Sequence, residues 1–243
     1  MNPPIALGTA ARVLTQLRRD PRTIALLLIV PAGLVTLLRY VLGAPGFDKV
    51  GAQLVGLFPF STMFLVTSIT MLRERITGTL ERLMTMPLAK FDLLLGYGIA
   101  FALVATVQAT ITSAVAFGLL DLDVAGPVGL VVFLAIGNAV LGMSLGLFVS
   151  AFATTEFQAV QFMPAFVLPQ ILLCGLLVPR DEMAGWLQAV SAMLPLTYAY
   201  DALARLADPD PFGARFWLDV AVVLGVTYLG LVLGAATLRR RTP

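Results

Sequence analysis

Residues 73–87 read Arg-Glu-Arg-Ile-Thr-Gly-Thr-Leu-Glu-Arg-Leu-Met-Thr-Met-Pro, a charged stretch set between two long apolar runs, 52–72 and 93–120. Ile76, Leu80, Leu83 and Met84 fall on one face of a helix, and Arg73, Thr77, Glu81 and Arg82 lie largely off it. Such a segment can lie along a membrane or dock into a groove on a partner. Periodicity alone suits a solvated amphipathic linker equally well, so the surroundings decide.

The surroundings are those of a membrane protein. Hydrophobic residues make up 59% of the 243 positions and charged residues only 12%, about half the charged share of a soluble domain. A soluble fold could not cover that much apolar surface. Six stretches reach the roughly 20 apolar residues that a membrane-crossing helix needs: about 23–42, 52–72, 93–120, 127–152, 158–178 and 215–238. The runs are continuous and do not alternate strictly, which excludes a membrane β-barrel. The expected fold is therefore an all-α integral membrane bundle of six transmembrane helices, with both termini on one side.

Charge assigns the side. Eleven of the sixteen basic residues lie in 1–22, 73–92 and 239–241, and five (Arg39, Lys49, Arg180, Arg205, Arg215) lie in the other connections. The positive-inside rule makes the larger set, and both termini, cytoplasmic. The long polar leader and the spanning length of 23–42 argue against a cleaved signal peptide. Within 1–22, Ile5, Val13, Leu14 and Leu17 stand among arginines, as in an amphipathic N-terminal helix on the inner membrane surface. No linker or repeat divides the chain, so 1–243 reads as a single membrane domain.

The outer connections 43–51 and 121–126 are short. Segment 179–214 is longer. Asp181 and Glu182 suit a helix N-terminus. Met183, Trp186, Leu187, Val190 and Leu194 follow at helical spacing, Pro195 is expected to end that helix, and Tyr198 and Tyr200 suit an interfacial belt. Short helices dipping into the outer leaflet before the last span are expected.

Several chemistries lack their residues. Histidine is absent and Cys174 is alone, which removes the usual general base, an internal disulfide and a cysteine metal cluster. The two lysines, Lys49 and Lys90, precede Val50 and Phe91, so neither completes a phosphate-binding loop. No span carries a mid-membrane carboxylate, which argues against ion coupling. Arg39, Glu156 and Asp219 read as interface charges, and Asp201, Asp208 and Asp210 as an acidic turn rather than a metal site.

The spans themselves carry uncharged polar residues: Thr106, Gln108, Thr110, Thr112 and Ser113 in the third, Asn138 and Ser144 in the fourth. They either line a translocation path (Thr106, Gln108, Thr110, Ser113 and Asn138 being the candidates) or hold helices together, and packing is the favoured role. Gly142-x-x-x-Gly146 and Gly230-x-x-x-Gly234 allow close helix approach. Pro31, Pro59, Pro164 and Pro169 imply kinks whose freed carbonyls need partners.

Glu-Arg-Ile-Thr-Gly-Thr-Leu-Glu-Arg-Leu-Met-Thr-Met-Pro at 74–87 resembles the region after span two of type-2 ABC exporter permeases. Gly175–Pro179, with Trp186, Pro195-Leu-Thr-Tyr198 and Asp201-Ala-Leu203, is similar to that family's segment between spans five and six. The resemblance covers nearly the whole chain and is strongest for the drug- and antibiotic-export branch. It implies a multi-pass permease in a bacterial plasma membrane, not itself an enzyme. That permease would pair with a second permease subunit, identical or homologous, and with two ATP-binding subunits that hold ATP and Mg. It also implies that 73–87 contains a cytoplasmic coupling helix, with Glu74, Arg75, Gly78, Glu81, Arg82 and Leu83 as contact residues. The cargo would be an amphiphilic or hydrophobic compound moved outward. The residues alone leave open an ion-coupled secondary transporter or channel, and more remotely an intramembrane enzyme acting on lipids.

Overall fold

A computed structural model describes residues 3–79, 90–207 and 212–237, and all regular structure among them is helical. The first helix, α1, is Pro3–Arg18. Asp20 then caps the next one, accepting from the Thr23 amide at 3.2 Å and the Thr23 hydroxyl at 2.6 Å. Pro21 follows at the first helical position, where its missing N–H costs nothing.

The second helix, α2, runs Pro21–Ile76 and is not straight. Fifty-six helical residues would extend about 84 Å, yet Asp20 and Thr23 at its start line one cleft with Thr70, Arg73 and Glu74 at its end. The chain therefore folds back on itself. The turning point is Gly43, whose φ of 68° and ψ of 173° leave the helical region, a conformation that glycine adopts without steric cost. The two arms correspond to the first two predicted spans. The prolines Pro31 and Pro59 sit within the arms, and the non-helical break falls at Gly43 instead.

Beyond the undescribed stretch come α3, Lys90–Gly118, and α4, Val128–Val149. Residues 156–173 form one helical run with an irregular turn in it, at the prolines expected to kink this span. They form α5, Glu156–Phe162, then a π turn, Met163–Val167, then α6, Leu168–Leu173. Pro164 and Pro169 each remove a backbone donor, and the widened turn between them absorbs the loss. A 3-10 turn, Arg180–Glu182, precedes α7, Gly185–Ser191. Asp181 and Glu182 thus occupy their own turn rather than the start of that helix. Pro195 opens the next helix, α8, Pro195–Ala204, rather than ending the previous one. The last helix, α9, is Ala214–Ala236. By length and composition, α2, the 95–118 part of α3, 128–152 and α9 are able to cross a membrane.

The most extensive helix contact joins α2 to α4, and glycine makes it possible. A methyl group on Gly142 would stand 2.1 Å from the Phe60 carbonyl oxygen, and one on Gly146 would stand 2.4 Å from that of Phe64. The same closeness lets the Thr67 hydroxyl reach the Met143 carbonyl at 3.3 Å. On the other side of α4, Gly230 of α9 meets Ser144. Gly142, Gly146 and Gly230 therefore sit in real helix seams, as dispersion-driven packing in lipid favours.

The connections gather at two ends. One end joins 39–51, 119–126 and 203–206: Arg39 Nε donates to the Leu120 carbonyl at 3.0 Å, and Gly51 and Gly126 press on Leu122 and Leu206. The other end joins α1, the close of α2 and the start of α5.

Candidate functional site

The end of α2 is built for termination and for contact. Thr77 caps it, with its amide bonded to the Arg73 carbonyl at 2.9 Å. Gly78 follows with φ +71°, the left-handed conformation that closes a helix and that a side chain would strain. Ile76 accordingly belongs to α2, while Leu80, Leu83 and Met84, expected on one apolar face with it, lie outside the described residues. Glu81 and Arg82 lie outside them too.

Three successive residues before that cap reach three other parts of the fold. Arg73 donates two hydrogen bonds, of 2.8 and 3.0 Å, to the Glu156 carboxylate at the start of α5. This paired fork geometry fixes orientation as well as distance, and it holds the Glu156 carboxyl below its ordinary range. Glu74 is buried and accepts from Arg12 of α1 at 3.2 Å. Arg75 reaches the Thr237 hydroxyl just after α9, at 3.4 Å. Burial works against the charge of Arg75, and its Nε has no partner among the described residues.

Arg12 is the centre of a second layer. Besides Glu74 it bonds to the Tyr97 hydroxyl of α3 and lies over that ring, 5.5 Å from its centroid. The helix that carries it is seated firmly. Ala6, Ala10 and Val13 are buried, and a methyl on Gly96 would stand 2.5 Å from Thr9 and 2.7 Å from the Ala6 carbonyl. So α1 packs on α3 and presents Arg12 to the end of α2. Between them opens a cleft of about 370 Å³ whose walls include Gln16, Asp20, Thr23, Arg73, Glu74 and Thr77.

Sequence reasoning singles out Glu74, Arg75 and Gly78; the structure pairs Glu74 with Arg12, itself bonded to Tyr97, and Arg75 with Thr237. Arg12 and Tyr97 are missed as partners of Glu74. In the sequence Arg12 is only one charge in a topology count, and nothing local to Tyr97 distinguishes it from a core aromatic.

The opposite end holds the second motif. Gly175 has φ +109° and lies so close to the Tyr200 ring that a methyl group on it would stand 3.2 Å away. The Ser191 hydroxyl donates to the Leu173 carbonyl at 2.8 Å and the Thr197 hydroxyl to the Ser191 carbonyl at 2.8 Å. Arg180 pairs with Asp201 at 2.7 Å, and Arg205 with Asp219 at 2.9 Å. Burial pushes the Asp201 carboxyl up, with Arg180 pulling against it. Asp219, expected as an ordinary interface charge, is instead buried and paired. Asp208 and Asp210 lie outside the described residues. The Gly, Pro-Leu-Thr and Asp positions of this motif thus tie α6, α7 and α8 into one knot.

The polar residues within α3 and α4 are scattered over several surfaces. Thr106 and Ser113 donate to carbonyls one turn back in their own helix, Ala102 and Ala109. Gln108 bonds to the Leu27 carbonyl of α2 at 2.9 Å. Thr110 is exposed, while Asn138 is buried against Gly56.

Comparison with known proteins places this geometry. The model of the ABC-2 type transporter family matches residues 9–206. The chain belongs to the ABC-2 type transporter family. With its long apolar helices, it is a multi-pass membrane protein. It is 29% identical over 175 residues to the "Probable multidrug ABC transporter permease YbhR" of Escherichia coli, covering 72% of this chain and 48% of that one. It is 24% identical over 183 residues to the "Linearmycin resistance permease protein LnrN" of Bacillus subtilis, covering 73% and 46%. It is 26% identical over 156 residues to "ABC transporter G family member 20" of Dictyostelium discoideum, covering 64% and 21%. The chain spans about half the length of the bacterial permeases it matches.

Proposed function

We propose that this chain is the permease subunit of an ABC exporter. It moves an amphiphilic or hydrophobic compound outward, using ATP hydrolysed with Mg on separate partner subunits. The observation that carries the coupling role is the hub at Arg73, Glu74 and Arg75, where one helix end bonds to α5, to α1 and to the residue closing α9. A push on the segment that follows Gly78 is delivered at once to helices throughout the bundle. Glu74, Arg75, Gly78, Glu81, Arg82 and Leu83 form the contact segment for the ATP-binding subunit. A second permease, identical or homologous, completes the pathway. The names of the YbhR and LnrN relatives favour a drug- or antibiotic-type cargo.

In this reading the bundle crosses a bacterial plasma membrane six times. The two arms of α2, with α3, α4 and α9, make five crossings. The run 156–173 makes the sixth, with Glu156 at its cytoplasmic end outside the hydrocarbon, since eighteen helical residues extend about 27 Å against a hydrocarbon core of about 30 Å. The arginine-rich end then faces the cytoplasm, and the knot of α6 to α8 faces out.

Two measurements test this. Asn2→Cys, Thr79→Cys and Thr242→Cys, each introduced with Cys174→Ser, should resist a membrane-impermeant thiol reagent in intact cells, and labelling from outside would reverse the orientation. Purification of the tagged chain from native membranes should bring down a subunit bearing a phosphate-binding loop. Transport by the chain alone, driven by an ion gradient without ATP, would replace the exporter with a secondary transporter.

A further inference from the structure

A separate groove lies between α1, the first arm of α2 and α3. Its walls are Leu14 and Leu17 of α1, Ile24, Leu27 and Leu28 of α2, and Leu103, Val104 and Val107 of α3, enclosing about 220 Å³. One charged residue, Arg18, stands in the lining. Arg19 follows on the short connection and Arg22 in the first turn of α2, and all three arginines are exposed. None of them has a salt bridge among the described residues.

The wall residues differ in what they face. Leu27 is buried in the bundle, whereas Leu103 and Val107 are exposed, as are Leu26 and Ile29 beside them. The groove therefore opens sideways onto an apolar surface that meets hydrocarbon, and its charged end lies where the apolar helices begin. Its walls on α2 and α3 run from Ile24 to Leu28 and from Leu103 to Val107, about 6 Å each, which suits a stretch of acyl chain. An apolar slot with unpaired arginines at its mouth matches one occupant: a lipid with an anionic headgroup, since each basic residue near a headgroup adds attraction for anionic lipid. A soluble peptide would have to cross hydrocarbon to reach the slot.

We propose that this groove is a binding site for an anionic phospholipid, its phosphate at Arg18 with Arg19 and Arg22, and one acyl chain between α1, α2 and α3. The lipid acts as a wedge that seats α1 against the bundle. Because α1 carries Arg12, occupancy also steadies the Arg12–Glu74 contact.

The test is native mass spectrometry of the full-length chain in detergent, with dioleoylphosphatidylglycerol or dioleoylphosphatidylcholine added at equal concentration. The wild type should retain phosphatidylglycerol several-fold over phosphatidylcholine. Arg18→Gln should lower phosphatidylglycerol retention by about fivefold, the loss of one basic residue near a headgroup, and leave phosphatidylcholine unchanged. Val104→Trp fills the slot and should lower both. Equal retention of the two lipids by the wild type, or unchanged retention in Arg18→Gln, would overturn the site. Arg18 is exposed, so its variant decides the question even where Val104→Trp does not fold. The assay contains no ATPase and no cargo, so its outcome is independent of the transport reading.

Discussion

The side-chain amide of Gln108 donates a 2.9 Å hydrogen bond to the carbonyl of Leu27, the carbonyl that Pro31 leaves without a helical donor. Proline at position i removes the bond to residue i−4, and in a membrane interior that loss must be made good by a neighbouring helix. Gln108 is fully buried and supplies the replacement from α3. The packing role favoured for Gln108 thus takes a specific form, the repair of a proline's damage.

The relationship predicts a double-mutant cycle. Gln108→Leu should cost about 1–2 kcal/mol by stranding the Leu27 carbonyl. In a Pro31→Ala background, the restored alanine N–H can reach that carbonyl, and the same substitution should cost much less. Thermal unfolding of the four proteins in detergent gives the coupling directly; equal costs in both backgrounds would show the bond to be incidental.

The α2–α4 seam predicts a contrast among glycines. Gly142→Ala sets a methyl 2.1 Å from the Phe60 carbonyl and should destabilise by about 1–3 kcal/mol or more, since a backbone has to move. Gly137→Ala on the same helix meets nothing within 4 Å and should be neutral or stabilising by up to about 1 kcal/mol. Folded yield and melting temperature separate the two.

The Arg73–Glu156 pair predicts a small acid dependence. Hydrogen bonds from Arg73 hold the Glu156 carboxyl below its ordinary 4.5. Its contribution is therefore complete above that ordinary value and is lost as pH falls through the lower folded one. Both side chains are half-exposed, which limits the effect to less than about 1 kcal/mol. Unfolding followed between about pH 3 and 6 should show the slope flattened in Glu156→Gln, and an unchanged slope would assign the pH dependence elsewhere.

The fold is legible where burial leaves a compositional trace. Apolar runs locate the first arm of α2, as well as α3, α4 and α9, within a few residues, because hydrocarbon demands uninterrupted apolar helices; the second arm begins about eight residues before the apolar run at 52. In segment 158–178 the prolines are visible as kink sites, but hydropathy does not register that the bend takes the form of a π turn at Met163–Val167. Pro195 reads as a stop, although proline suits a first helical turn equally well. At the site, Gly78 and the charges around it are visible as a motif. Their partners Arg12, Tyr97, Glu156 and Thr237 come from distant parts of the chain, and pairing over such separations leaves no local signature.

The Arg12–Glu74 contact predicts a coupling defect distinct from misfolding. Arg12→Gln keeps α1 seated through Ala6, Ala10 and Val13 but leaves the buried Glu74 carboxylate without its cation, a loss of about 1–3 kcal/mol. With the partner subunits present, ATP hydrolysis should continue while export falls. Parallel loss of both would place Arg12 in assembly instead.

If the segment after Gly78 docks on an ATP-binding subunit, as proposed, Leu83→Asp should break that contact. The measurement is co-purification of that subunit with the tagged chain, together with ATP-dependent export in membrane vesicles, at matched membrane abundance. A charge forced into an apolar contact should cost several kcal/mol, of order 3–5, so both the retained subunit and the export should be lost while the chain still inserts. Glu81→Arg, a charge change at the rim, should weaken both less. A Leu83→Asp protein that inserts normally and keeps both its partner and its export would contradict the account.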